Sequence, residues 1–145
     1  MRTSIFILAL LLIVSMGFAG ERTLGLRGHT NGTAWTNYDY TNSLSDTSQA
    51  IPMKDAIVSS LMVHARDSAK VYVSFMPSYD GATFFAKVTV DSLVSTANGG
   101  AVKGFAIPEG YKGCSAVKWV LDFQAAGNGV TSDSVNCKVV QKLDK

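Results

Sequence analysis

The chain has 145 residues, 47% hydrophobic and 17% charged, with two cysteines and a formal charge of +2. That is the length of one domain, too apolar for a disordered tail and too short for a multi-domain enzyme. So small a charge lacks the strongly basic face of a nucleic-acid binder, and no nucleic-acid partner is expected.

Residues 1–19, MRTSIFILALLLIVSMGFA, pair a basic Arg2 with an unbroken apolar run from Ile5 to Val14. Gly17 and Ala19 follow as small residues at the −3 and −1 positions of a cleavage site. This is the pattern of a secretory signal peptide. The rival, a membrane anchor, needs about 20 apolar residues, and Ser15 and Gly17 interrupt this run. Cleavage leaves 126 of the 145 residues and removes one of 13 basic side chains, so 12 face 11 acidic ones. The mature chain is then expected to be extracellular or periplasmic, with no membrane span.

Cysteine usage fits export. Cys114 and Cys137 both follow the signal, and a secreted domain with two cysteines most simply forms one disulfide. Closing that loop of about 24 residues contributes about 3.5 kcal/mol in the chain-entropy model. Two buried thiols are the alternative. His29 and His64 have no ligand-like spacing to the cysteines, so no metal or cofactor is expected.

Residues 20–33 are rich in Gly, Thr and Arg and lack periodicity, which predicts a flexible N-terminal arm. Residues 34–145 are predicted to form the folded domain. A short strand is expected at Ala34–Thr41 and a polar loop at Asn42–Gln49. Period-two alternation then predicts strands at Ile57–Arg66, Lys70–Met76, Thr83–Val90, Val102–Ile107, Ser115–Gln124 and Ser134–Leu143. Asp80-Gly81 marks a hairpin between two of them, and Asn98-Gly99-Gly100 and Gly127-Asn128-Gly129 mark further turns. Asp91–Ala97 has room for one or two helical turns. About seven short strands with regular turns predict an all-β, antiparallel two-sheet β-sandwich of jelly-roll or immunoglobulin-like type. A closed barrel is the runner-up.

Candidate chemistry is sparse. His64 is the one histidine in a regular element, and no nucleophile motif surrounds it. Glu21 and Glu109 are the only glutamates, and Asp80, Asp91 and Asp122 read as turn or solvent-facing residues, so a carboxylate pair for glycoside hydrolysis is not indicated. Asp46 and Asp133 read as solvated loop residues without an acidic cluster for calcium. Asn31-Gly32-Thr33 matches a glycosylation acceptor. Trp119 and Phe84 are expected in the core. Trp35, Tyr38 and Tyr40 sit among Asn, Thr and Asp. They read first as edge-strand packing, and second as a sugar-stacking surface.

The segment Ser78-Tyr79-Asp80-Gly81-Ala82-Thr83-Phe84 resembles the S-x-D-G-x-x-aromatic hairpin of non-catalytic β-sandwich modules in phage and virus structural proteins and secreted surface proteins. The likeness runs in outline from Thr47 to Leu143. It implies the fold and a non-catalytic role, and transfers no binding residue. The expectation is therefore a secreted, non-enzymatic sandwich with a structural or assembly role, self-associating through its arm into an oligomer or filament. A glycan-binding module using Trp35, Tyr38 and Tyr40 is the alternative, and a small secreted hydrolase a distant third.

Overall fold

The computed structural model describes residues 20–28, 34–35, 38–39, 45–65, 69–95, 100–125 and 134–144. Ten strands are formed there: β1 (Glu21–Gly25), β2 (Tyr38–Asp39), β3 (Ser45–Thr47), β4 (Ile51–Pro52), β5 (Ala56–Ala65), β6 (Ala69–Ser78), β7 (Val88–Ser95), β8 (Ala101–Ala106), β9 (Ala116–Ala125) and β10 (Ser134–Leu143). A 3-10 turn covers Glu109–Tyr111.

The strands make two antiparallel sheets. Sheet A runs β1-β10-β5-β8, with β2 also on β10; sheet B runs β3-β9-β6-β7, with β4 also on β9. If the short strands flanking β10 count as one and those flanking β9 as one, the chain pairs first with last, second with seventh, third with sixth and fourth with fifth. That is a long hairpin folded over on itself, the jelly-roll arrangement of the β-sandwich.

Alternation explains the layers. In β5, Leu61, Val63 and Ala65 are buried while Ser60, Met62 and His64 are not; in β9, Val117, Trp119, Leu121 and Phe123 point inward. Val71, Val73 and Phe75 of β6 and Val135 and Val139 of β10 complete the core between the sheets. Phe75 meets Trp119 and Tyr111 edge-on, at centroid distances of 6.0 and 5.1 Å.

Several polar residues inside are paired, though among the described residues Ser95 Oγ and Trp119 Nε1 are buried without a partner. Gln141, fully buried, accepts from the Arg22 guanidinium and donates to the Pro52 carbonyl at 2.9 Å and to Ser59 Oγ at 3.3 Å. This ties β1, β4, β5 and β10 together. Ser48 Oγ accepts from the Trp119 amide at 2.9 Å, at the point along β9 between the residues paired with β3 and those paired with β4.

Three expectations need correction. Glu21–Gly25 is not a flexible arm but an edge strand, in register with Lys138–Lys142 of β10. Its inward residues are Arg22 and Leu24, and the Arg22 partner lies 119 residues away, so no local pattern reveals the strand. The strand expected at Thr83–Val90 begins only at Val88 and runs to Ser95, replacing the helical turns considered for Asp91–Ala97. Residues 79–87 are a loop, and Phe84 is half-buried on the outer face of sheet B, with Lys118 Nζ 4.4 Å from its ring centroid.

The cysteines are not bonded. Ser115, next to Cys114, accepts from the Met53 amide at 2.9 Å, which places Cys114 at the Gln141 end of the sandwich. Cys137 lies four residues up β10 from Gln141, roughly 13 Å at strand rise, whereas bridged Cα atoms lie within about 7 Å. Burial pushes both thiols up, Cys137 to about 12.

Candidate functional site

The aromatic residues singled out from sequence do not form a surface cluster in the described structure. Trp35 is fully buried, and its indole N–H donates to Asp46 Oδ2 at 2.8 Å. A buried indole has no face left for a sugar ring. Asp46 is the partner that lets the indole be buried. Asp46 is itself buried in β3, not solvated in a loop. Tyr38 lies in β2, paired with Val135; its side chain, and Tyr40, His29, the Asn31-Gly32-Thr33 acceptor and Asp133, lie outside the described residues. His64 is half-buried on the outer face of β5, between Asn136 and Val102 in register. The carboxylates are taken up by structure: Asp91 by Lys103 at 2.6 Å, Asp122 by Lys87 at 2.8 Å and Glu109 by Lys112 at 2.7 Å. Among the described residues, no group of three His, Cys, Asp or Glu side chains is placed to hold a metal ion. No helix among them is long and apolar enough to cross a membrane.

The exposed aromatics lie elsewhere. Tyr79 and Phe85 are 53% and 55% exposed, and their rings meet edge-to-face with centroids 5.9 Å apart. The loop holding them is fastened from within. Asp80 Oδ1 accepts from Ser78 Oγ at 2.9 Å, from the Ala82 amide at 2.8 Å and from the Thr83 amide at 2.7 Å. Ser78 Oγ accepts from the Gly81 amide at 2.9 Å, and Gly81 takes a φ of 80°, which favours glycine. Both ends are anchored too: the Phe85 amide donates to Pro77, and Ser115 Oγ donates to the Tyr79 carbonyl at 2.6 Å. The Thr83 and Ala82 amides, with the Thr83 and Ser78 side chains, hold the Asp80 carboxyl far below the usual carboxylate range. It is an anion at every ordinary pH. Two large rings are thus held in water by a stiff loop beside a fixed negative charge. The sequence motif gave the turn chemistry, but which aromatics would stay exposed depends on how residues 79–87 lie over sheet B.

A second surface is the outer face of sheet A. An outward face of an antiparallel sheet is ordinarily polar. Here Val58 is 41% and Val102 63% exposed, and Met62 and Val140 are half-buried between them. A shallow trough of about 650 Å³ runs over Val58, Met62 and Val140, flanked by Lys138 and Lys142. Glu21 stands opposite Lys142 at its margin.

No protein-family profile matches the chain, and no curated protein matches it. Solved structures do. A chain in the structure of infectious bursal disease virus, Gx strain, superimposes with a TM-score of 0.53 at 12% identity over 86% of this chain and 33% of that one. The Gt strain gives 0.51 at 11% identity, over 85% and 32%. The xylanase 10B CBM22-1–GH10 modules of Clostridium thermocellum, complexed with xylohexaose, give 0.49 at 10%, over 86% and 25%. The chain spans about a third of the virus chains it matches. At these identities the likeness is one of fold: this protein is a β-sandwich of the outline seen in those virus chains.

Proposed function

We propose that the protein is exported and works without catalysis, as a structural β-sandwich that assembles at or outside the cell surface. The observation that carries this is the Tyr79–Phe85 pair, more than half exposed on a loop locked by Asp80. Rigid exposed aromatics bury large area at small entropic cost, which is why they anchor protein interfaces. The virus chains of the same outline lend the reading a precedent for the fold. The reading does not call on Glu21–Gly25, which is bonded to β10 of its own chain.

Sedimentation velocity of the exported protein over a wide concentration range tests the reading. Species larger than the monomer should grow with concentration; a monomer throughout removes the assembly role. N-terminal sequencing of that material should begin at Gly20, and a start at Met1 refutes the signal peptide.

A glycan-binding reading has one observation in its favour: the exposed Tyr79 ring stands beside hydroxyl and carboxylate groups of the same loop. It no longer involves Trp35. A glycan array with Tyr79→Ala as control checks it, and binding indifferent to that substitution excludes the loop.

A further inference from the structure

Among the described residues, two exposed features are of opposite shape and charge. One is convex: the Tyr79 and Phe85 rings with the ionised Asp80 between them in sequence. The other is concave: the sheet A trough, with Val58, Met62 and Val140 around Ser60 on its floor and lysines flanking it along β10. We infer that the Tyr79–Phe85 knob of one copy seats in the Val58–Met62–Val140 trough of the next. The inference rests on the assembly reading above and gives it a contact.

Four observations favour this occupant. Lys138 and Lys142 stand roughly 13 Å apart along β10 with Val140 between them, and two rings with centroids 5.9 Å apart fit that gap. Charge is complementary, Asp80 entering between two lysines with Glu21 only at the margin. A lysine over an aromatic ring is a contact this chain already makes at Lys70–Tyr72, Lys103–Phe105 and Lys118–Phe84, and it is favourable. The competing route, pairing of open strand edges, is guarded. Lys103 of β8 and Asp91 of β7 both stand at inward positions and bond to each other across the open side of the sandwich at 2.6 Å. Inward charges on edge strands discourage edge-to-edge pairing.

Knob and trough are different surfaces of one molecule, so the contact is heterologous. Such contacts repeat head-to-tail into a ring or an open filament. Two exposed rings bury only a few hundred Å², the size of a weak encounter, so assembly is concentration-dependent and falls as salt rises.

The test is complementation between two variants of the full protein. Tyr79→Ser/Phe85→Ser removes the knob; Met62→Arg/Val140→Arg blocks the trough. Melting temperatures near that of the unmodified protein establish that both fold. Each alone should be monomeric at concentrations where the unmodified protein assembles. Mixed one to one, they should form a heterodimer and nothing larger, because one intact knob and one intact trough remain. Wild-type assembly with either variant still self-associating, or with a mixture that stays monomeric, overturns the contact while leaving the assembly reading intact. A wild type that stays monomeric overturns both. If the double-arginine variant misfolds, Val58→Ser/Met62→Ser replaces it, and should raise the concentration needed for assembly at least tenfold.

Discussion

Replacing Trp35 by Phe separates a core tryptophan from a surface one by measurement. The indole is fully buried and its N–H reaches Asp46 Oδ2 at 2.8 Å. A hydrogen bond to a charged acceptor contributes about 1.5–3 kcal/mol. The smaller ring also leaves space behind, and full truncation of a buried Trp costs about 3–5 kcal/mol. Trp35→Phe should therefore cost about 2–4 kcal/mol, a large part of the total of about 5–15 kcal/mol typical of a domain. At a urea slope of about 1–3 kcal/mol per molar, the midpoint should fall by roughly 1–2 M. Trp119 remains as the single fluorescence reporter, since the chain has two tryptophans. Trp35→Phe, Asp46→Ala and their combination should show a coupling of at least about 1 kcal/mol. A loss under about 0.5 kcal/mol for Trp35→Phe, or additive single effects, would refute the claim that Asp46 supports the buried indole.

Three further outcomes are expected. Alkylation without reductant should label neither thiol quickly in the native protein, because burial raises both, and should label both in denaturant; mass unchanged in denaturant would establish the bridge after all. Asp80, Asp91, Asp122 and Glu109 are all held below their ordinary values of 3.8 or 4.5, so the folded state releases these protons more readily than the unfolded one. Their stabilisation is present above the unfolded pKa and lost as pH falls through the folded one. The melting temperature should thus hold from pH 7 to about 5 and decline below about 4, less steeply in Asp91→Asn; a decline equally steep in that variant counts against the Lys103–Asp91 pair. Gln141→Leu leaves the Pro52 carbonyl and the Arg22 guanidinium without their buried partner, and chemical denaturation should register a loss of about 2–3 kcal/mol; a neutral result would mean that solvent takes over both groups.

The long strands were legible because each alternates on its own. β5, β6, β8, β9 and β10 begin and end within two residues of the segments that period two marks out. β7 was displaced because the pattern of Phe84, Ala86, Val88 and Val90 continues through a loop, whereas the real strand puts Asp91 at an inward position opposite Val73. That placement makes sense only with Lys103 of the other sheet beside it. β1 stayed hidden for the same kind of reason, its inward Arg22 being answered by Gln141. Trp35 is buried, but its polar neighbourhood in sequence says nothing about which polar group faces it. The candidate site was half legible: the Ser78–Asp80–Gly81 turn follows from local chemistry, but the exposure of Tyr79 and Phe85 and the apolar trough follow from what the sheets leave uncovered.

The folded-over hairpin also sets a clock. Among the described residues the strand at Glu21–Gly25 pairs with β10 alone, and β5 lies between β10 and β8. Sheet A therefore cannot close until Ser134–Leu143 is available, and pairings so distant in sequence form slowly. A growing chain with this order keeps sheet A open until that segment has been made. Machinery that must take the chain in extended form can act throughout that interval, and a truncation before Ser134 removes a central strand of the sheet.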